Sequence, residues 1–140
     1  MTLNEYDITK KDMDVLKIIY NNEKSGWLTR IKEISNQLNI KPATTEQYVK
    51  KLEDNNLIVR KDSLIKITDK GKKYVERILR KHRIIETYLF LKGVELECAC
   101  NEASSMEYCI SDSMIKIIEM EIGNPKKCPH GKEIPEDGDD

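Results

Sequence analysis

Two predicted helices joined by a short break, with two β-prone runs after them, constrain the fold of this chain more than any other feature. Apolar residues spaced by three and four, Ile31, Ile34 and Leu38, predict a helix that follows Thr29, and Pro42 suits the first turn of the next. The break at residues 39–41 has the length typical of a helix-turn-helix. Residues 57–60 and 64–67 surround a polar turn, which predicts a hairpin. This order of elements is that of a winged helix-turn-helix.

Further helices are predicted on both sides of this unit. Residues 12–20 carry an apolar stripe at helical spacing, with Asp12 as the expected N-cap. A long helix is expected from Thr68 to Gly93, and another over residues 101–122. The fold class is therefore mostly α with a small β-hairpin wing.

The net charge of −1 hides a strong division along the chain. Residues 41–83 contain 13 Lys/Arg against 6 Asp/Glu, whereas residues 84–140 contain 5 against 13. Only the basic part is suited to meet phosphate groups, although clustering of solvated charges by chance is the alternative. We expect a winged helix-turn-helix DNA-binding domain over residues 1–73 and a helical domain over residues 74–140 that ends in an acidic tail.

The third predicted helix and the wing carry the residues expected to contact DNA. Gln47 can make a bidentate contact with adenine, and threonine methyl groups can meet a thymine methyl. The basic side chains would bind phosphate, but Lys50 and Lys51 are equally consistent with the solvated back of the helix. The expected DNA-binding residues are Lys41, Thr44, Thr45, Gln47, Tyr48, Lys50, Lys51, Arg60 and Lys61, with Lys66 as a further phosphate contact.

The sequence also limits the compartment and the class of protein. The N-terminus lacks the pattern of a signal peptide, and the apolar runs are too short to span a bilayer. We therefore expect a cytoplasmic protein with no membrane partner, in which the four cysteines are thiols or metal ligands. No nucleophile–base pair, phosphate loop or pair of catalytic carboxylates is recognisable, so we expect no enzymatic activity; an enzyme or a metal-storage protein is kept only as an alternative.

Several runs of the sequence resemble the iron- and manganese-dependent repressors of the diphtheria-toxin-repressor type. The runs are LKIIY in the first predicted helix, RKHRIIE at residues 80–86, NEASSME at residues 101–107 with Ser111-Asp112 after it, and GNPKKCPHGKEIP at residues 123–135. The last is a distinctive ending of the family, whose short members lack an SH3-like domain. The resemblance implies a homodimeric repressor that binds double-stranded operator DNA when a divalent metal is loaded, with residues 74–140 as the dimerisation and metal-sensing domain.

The resemblance also implies a set of metal ligands, from which this chain departs. Serine and tyrosine stand at positions 104 and 108, where stronger ligands are usual, and their hydroxyl groups bind Mn²⁺ or Fe²⁺ poorly. The expected cofactor is a divalent transition metal, Fe²⁺ or Mn²⁺. The implied ligands are Asp14, His82, Glu86, Cys100 and Glu107.

The cysteines leave alternatives open. Soft thiolates favour Zn²⁺ or an iron–sulfur cluster over Mn²⁺, so a zinc, iron–sulfur or redox-sensing regulator could be built on the same scaffold. A protein that binds no metal is the other alternative, because Cys109 could be a small core residue. The alternative metal or redox residues are Cys98, Cys109, Cys128 and His130.

The second domain is also expected to pair two copies of the chain. The apolar faces at residues 84–91 and 114–122 would form the dimer seam, although such stripes more commonly belong to the core of one chain. A metal joining Asp14 to the dimer segment would hold the two recognition helices roughly 34–36 Å apart, one turn of DNA.

Overall fold

The computed structural model describes residues 8–137, and the first half of this range forms three helices and a hairpin. The helices are α1 (Lys10–Lys24), α2 (Ile31–Leu38) and α3 (Pro42–Asp54), and the strands are β1 (Ile58–Lys61) and β2 (Leu64–Ile67). The predicted order of a winged helix-turn-helix is confirmed. Residues 138–140, the last of the expected acidic tail, lie outside the described range.

Three further helices follow the hairpin. They are α4 (Asp69–Leu91), α5 (Leu96–Met106) and α6 (Asp112–Glu121). The prediction of one helix over residues 101–122 is therefore wrong. The helix ends at Met106, and a new helix begins after Ser111. The Ser111 hydroxyl caps it by accepting a hydrogen bond from the backbone N–H of Met114 at 3.2 Å.

A capping box starts α1. The Thr9 hydroxyl accepts from the Asp12 N–H at 3.2 Å, and the Asp12 carboxylate accepts from the Thr9 N–H at 2.9 Å. The expected N-cap, Asp12, is thus the third residue of the helix, and Thr9 is the cap. This exchange satisfies two of the backbone N–H groups at the start of the helix.

The turn between α2 and α3 is fixed by both backbone and side chains. Asn39 ends α2 in the left-handed conformation (φ 54°), and Pro42 occupies the first turn of α3. Ser35 and Thr45 are buried, and their hydroxyl oxygens lie 2.8 Å apart. This hydrogen bond joins the two helices at their point of contact.

The wing is a two-stranded antiparallel hairpin. Ile58 pairs with Ile67 and Lys61 pairs with Leu64, so the turn consists of residues 62 and 63. Both turn residues have positive φ angles (51° and 67°), as in the two-residue turns that match the twist of a hairpin. The Ile65 N–H donates to the Thr29 carbonyl at 2.8 Å, which ties the hairpin to the segment before α2.

The junction between the wing and α4 requires a glycine. A Cβ atom at position 71 would lie 2.2 Å from the carbonyl oxygen of Leu57, a distance that no side chain could accept. The Gly71 N–H also donates to the Thr68 hydroxyl at 3.0 Å, which bears out Thr68 as the residue that begins this helix. The start of α4 is therefore held against Leu57, the residue that precedes β1.

The chain forms two compact units, divided between Val75 and Glu76 within α4. The first unit has an apolar core supplied by its three helices and the hairpin, with Met13, Leu16, Ile19, Ile34, Val49, Leu52 and Leu57 at 0% exposure. The second has a core of Ile84, Ile85, Ala103, Ile115 and Ile134. No described helix is long and apolar enough to cross a membrane.

The second core contains part of the predicted dimer seam. Ile84, Ile85 and Ile115 are fully or almost fully buried within one chain, so they are core residues and not seam residues. Met114, Ile117 and Met120 lie on α6 at a spacing of three and are 49%, 57% and 64% exposed. The exposed apolar face of α6 is therefore formed by this second set.

Candidate metal centre and nucleic-acid interface

Three potential metal ligands of different chemistry meet in the second unit. His82 and Glu86 lie one turn apart on α4, and Cys100 lies on α5. The Cys100 sulfur is 3.5 Å from His82 Nε2, and Glu86 Oε2 is 3.6 Å from the same nitrogen. One ligand atom from each residue lies within 4.8 Å of the other two. This group is called the first triad below.

Glu107 lies on the opposite side of the His82 ring. Its Oε1 is 2.9 Å from His82 Nδ1, and the residue is only 2% exposed. When Nδ1 carries the ring proton it donates to Glu107, and Nε2 is left with a lone pair facing Cys100 and Glu86. The arrangement is that of a carboxylate which orients a metal-binding histidine from behind.

A second group of ligands shares Glu86 with the first. Ligand atoms of Glu86, Cys128 and His130 lie within 4.8 Å of one another, and this group is called the second triad below. His130 Nδ1 is 3.1 Å from Glu86 Oε1, the oxygen that does not face His82. From the sequence, Cys128 and His130 are expected only as alternative ligands, because a Cys-x-His spacing does not by itself indicate a contact with Glu86.

The surroundings of Cys100 keep its thiol protonated. Burial raises the pKa of Cys100, and the hydrogen bond and negative charge of Glu86 raise it further. The positive charge of Lys132 acts in the opposite direction and is outweighed. A metal ion entering the first triad would therefore have to displace this proton.

The other implied or alternative ligands lie elsewhere. Asp14 is on α1 in the first unit and is half-buried, so its role as a ligand stays a prediction. The Ser104 hydroxyl donates to the Cys100 carbonyl at 3.1 Å, within α5. Cys98 and Cys109 are exposed and belong to neither triad. Among the described residues, the four cysteines do not come together.

The first unit presents several of the predicted DNA contacts at its surface. Lys41, Gln47 and Lys61 are exposed, and Thr44 and Tyr48 are half-buried on α3. Exposed side chains at the first turns of this helix can reach base edges, and lysines beside them can bind phosphate. The further predicted phosphate contact, Lys66, is exposed on β2.

Thr45 is placed differently from its prediction. It is 0% exposed, and its hydroxyl is bound to Ser35 and donates to the Lys41 carbonyl at 3.3 Å. A side chain without accessible surface cannot contact DNA. Thr45 was predicted to read DNA, and the structure instead makes it part of the contact between α2 and α3.

Three of the predicted phosphate contacts are engaged by carboxylates. Lys51 Nζ lies 2.8 Å from the buried carboxylate of Asp12, and Lys50 Nζ lies 3.1 Å from Asp54. The Arg60 guanidinium lies 2.6 Å from Glu46 and 3.3 Å from Glu53, joining β1 to α3. The hydrogen bond to Glu46 raises the pKa of Arg60, although burial opposes the shift. The positive charges of these three side chains, which the sequence predicts to bind phosphate, are therefore partly neutralised by carboxylates.

Two family descriptions match the chain in consecutive segments. "Iron dependent repressor, N-terminal DNA binding domain" matches residues 7–63. "Iron dependent repressor, metal binding and dimerisation domain" matches residues 68–136. The first segment carries the helix-turn-helix and the wing up to the hairpin turn, and the second carries both triads.

Individual relatives and solved structures agree with these two family matches. The chain is 31% identical over 99 residues to the HTH-type transcriptional regulator MntR of Oceanobacillus iheyensis, over 70% of this chain and 67% of the relative. It is 29% identical over 122 residues to the iron-dependent repressor IdeR of Mycobacterium bovis, over 86% of this chain and 53% of the relative. The structure of ScaR with bound Zn²⁺ superposes with a TM-score of 0.79 at 31% identity, over 89% of this chain and 59% of that one. The chain thus spans about half the length of the mycobacterial relative.

Proposed function

The chain belongs to the iron-dependent repressor family, and on that premise we propose that it is a homodimeric transcriptional regulator that binds operator DNA when a divalent metal ion is present. Family membership confirms the resemblance drawn from the sequence. The named relatives are transcriptional regulators, which bears out the expectation of a protein that is not an enzyme.

The observation that carries the proposal is the convergence of His82, Glu86 and Cys100. A histidine nitrogen, a carboxylate oxygen and a thiol sulfur within 4.8 Å form a donor set that suits a divalent transition metal. Glu107, behind His82, supplies the orientation that such a ligand needs. A bound ion would supply the positive charge that joins the carboxylate of α4 to the thiolate of α5.

The presence of a thiol favours some ions over others. Affinity for mixed nitrogen, oxygen and sulfur sites rises from Mn²⁺ through Fe²⁺ toward Zn²⁺, and thiolates sharpen this order. We therefore propose Fe²⁺ or Zn²⁺ as the ion sensed, with Mn²⁺ binding more weakly. Zn²⁺ is bound in one solved structure of ScaR and Cd²⁺ in another, and the same protein is described as a manganese-activated repressor.

The DNA-binding part of the proposal rests on α3 and the wing. Gln47 is the exposed polar residue suited to read a base, and Lys41, Lys61 and Lys66 are exposed cations suited to bind phosphate. Arg60, with its two carboxylate partners, holds the wing in position.

The dimer part of the proposal rests on α6. Met114, Ile117 and Met120 form an exposed apolar row on one face of this helix. Aligned apolar side chains on an exposed helix face are suited to pack against another copy of the same face.

The direct test is operator binding by chelator-stripped protein under anaerobic conditions, with DNA from upstream of its own gene. Fe²⁺, Zn²⁺ and Mn²⁺ are titrated separately, and we expect a steep gain in affinity at lower concentrations of Fe²⁺ or Zn²⁺ than of Mn²⁺. His82→Ala should remove the gain, and Ser105→Ala, an exposed position on α5, should retain it. Equal affinity of wild type and His82→Ala at every metal level would contradict the proposal. Tight binding without any metal would also contradict it and would direct attention to the thiols.

A further inference from the structure

The two triads meet at one carboxylate, and we infer that Glu86 bridges two divalent metal ions, one held with His82 and Cys100 and the other with Cys128 and His130. Glu86 Oε2 faces His82 at 3.6 Å, and Glu86 Oε1 faces His130 at 3.1 Å. Each oxygen therefore has its own histidine, and each histidine shares its triad with one thiol. This inference rests on the proposed function for the first ion and adds a second ion and its coupling to the first.

The second triad is presented by an ordered turn. The Cys128 N–H donates to the Lys132 carbonyl at 2.9 Å, and the Gly131 N–H donates back to the Cys128 carbonyl at 2.8 Å. Gly131 has φ +81°, which lets the chain reverse between the two bonds. Cys128 and His130 are thereby placed on one small loop that closes by a further bond from the Ile134 N–H to the Lys126 carbonyl at 2.9 Å.

The loop is also anchored to the helix that carries Glu86. Ile134 is 8% exposed and packs in the core with Ile84 and Ile85. Arg80 on α4 donates to the Pro135 carbonyl at 3.2 Å, and Arg83 on the same helix donates to the Glu133 carbonyl. Three contacts to α4 thus hold the loop in register with Glu86, so the second triad does not depend on a free chain end.

The burial of Glu86 is an independent reason to expect a cation beside it. Glu86 is 1% exposed, and its described ion-pair partners are two histidines, which are cations only when protonated. A buried carboxylate without a lasting positive partner is costly. Two thiolates and one carboxylate carry three negative charges, so one divalent ion leaves one negative charge and two leave one positive charge; the number of ions follows from the geometry of the two triads. A pair of ions held by a shared ligand is a recurring arrangement in proteins.

The donor sets indicate the kind of ion. Each triad offers one nitrogen, one oxygen and one sulfur, which favours Zn²⁺, Fe²⁺ or Co²⁺ over Mg²⁺ or Ca²⁺. Because both ions would share Glu86, loss of either should weaken the other. The pair would then respond to metal concentration more steeply than a single site does.

The test counts ions in the chelator-stripped full chain, with Co²⁺ as the probe under anaerobic conditions. Equilibrium dialysis with elemental analysis should give two Co²⁺ per chain for the wild type, with sulfur-to-cobalt charge-transfer absorption growing through both equivalents. Cys100→Ser and Cys128→Ser should each retain at most one ion and about half the absorption. Cys109→Ser, an exposed cysteine outside both triads, should still bind two.

Two further variants protect the test against misfolding. His130→Ala alters a side chain that is 40% exposed, so the fold should survive, and it should lose the same ion as Cys128→Ser. Glu86→Gln should reduce binding to less than one ion per chain. Two ions retained in Cys128→Ser and His130→Ala would overturn the inference. One ion in the wild type, with operator binding still metal-dependent, would overturn the bridged pair and leave the proposed function standing; no ion in the wild type would overturn both.

Discussion

The two units of this protein differ in how many charged groups they bury. The first unit buries mainly apolar side chains, with Asp12 as a buried carboxylate, and keeps cations such as Lys41 and Lys61 at the surface. The second unit buries charged groups: Lys81 and Glu86 are each 1% exposed, and Glu107 is 2% exposed. One unit is therefore stabilised as an ordinary small domain, while the interior of the other contains groups whose charge a ligand can change.

The buried cations of the second unit pair with carboxylates that lie nearer the surface. Lys81 Nζ lies 3.2 Å from Asp112 and also donates to the Ile110 carbonyl, and Arg80 pairs with Glu119 at 2.7 Å. Burial lowers the pKa of Lys81 even though Asp112 acts to raise it. Both units have an apolar core, and the comparison teaches that the second adds to its core most of the buried charged groups among the described residues.

The largest expected effect tests whether the first unit depends on packing. Leu52 lies on α3 and is 0% exposed. Leu52→Ala should lower the free energy of unfolding by about 2–5 kcal/mol, because the cavity that the substitution leaves cannot fully collapse. Leu28→Ala, at a residue 56% exposed in the same unit, should cost little. Denaturant unfolding of both variants decides the matter. Equal losses would show that the apolar core is not what holds this unit.

The next effect concerns the exposed row on α6. Ile117→Asp places a charge on both copies of the proposed dimer contact, and we expect dimer affinity to fall roughly 100-fold or more, about 3 kcal/mol. Sedimentation or light scattering as a function of concentration measures it. Lys116→Asp, the exposed neighbour, serves as control. An Ile117→Asp protein that remains a dimer would place the interface on another surface.

Glu107→Gln tests whether the buried carboxylate of Glu107 strengthens metal binding through its contact with His82. The amide keeps the shape but removes the negative charge behind His82, so we expect affinity for Co²⁺ to fall about 10–100-fold. The fold should be retained, and Glu97→Gln, at an exposed position on α5, should leave the affinity unchanged. Complete loss of the ion from the first triad would instead make Glu107 a ligand, as the family resemblance implies.

A smaller effect concerns the pH dependence of the second unit. Burial acts to raise the pKa of Asp112, but hydrogen bonds from Arg77 and the charge of Lys81 outweigh it, so the pKa lies below the usual value. A depressed pKa contributes stability above the unfolded-state value of about 4, and this stability is lost as the pH falls through the folded-state value.

Asp112→Asn should therefore destabilise the protein at pH 7 by about 1 kcal/mol, a figure kept low because this side chain is 41% exposed and screened by water. The difference from wild type should shrink below about pH 4, where the wild-type carboxylate begins to protonate. Unfolding curves across this range measure it. A difference that stays constant with pH would show that the ion pairs around Asp112 contribute nothing.

The smallest effect tests the surface cations of the first unit. Glu46→Gln removes the closest partner of Arg60, so we expect roughly a twofold to fivefold gain in affinity for nonspecific DNA and a steeper dependence on salt. Fluorescence anisotropy over a range of salt concentrations measures both. Asp54→Asn, which releases Lys50 at the far end of α3, is the matched comparison. An unchanged salt slope in Glu46→Gln would mean that Arg60 stays with Glu53 and does not reach DNA.

Some features of this protein follow from its sequence alone. The spacing of apolar residues gave the helices, and the break before Pro42 with the two β-prone runs gave the winged helix-turn-helix, because these patterns depend on neighbours along the chain. The spacing of four between His82 and Glu86 places them on one helical face wherever the helix packs. The family ending at residues 123–135 was likewise visible without any coordinates.

Other features were decided only by tertiary structure. The hydroxyl of Thr45 is turned inward because α2 packs on it, and Arg60 is held by carboxylates that lie 7 and 14 residues away. The break between α5 and α6 was missed because its apolar residues continue the helical spacing. His130 lies 44 residues after Glu86 in the sequence, and a folded loop brings both His130 and Cys128 to that carboxylate. Periodicity records which face of an element is buried, whereas which charged groups share that interior depends on how distant elements pack.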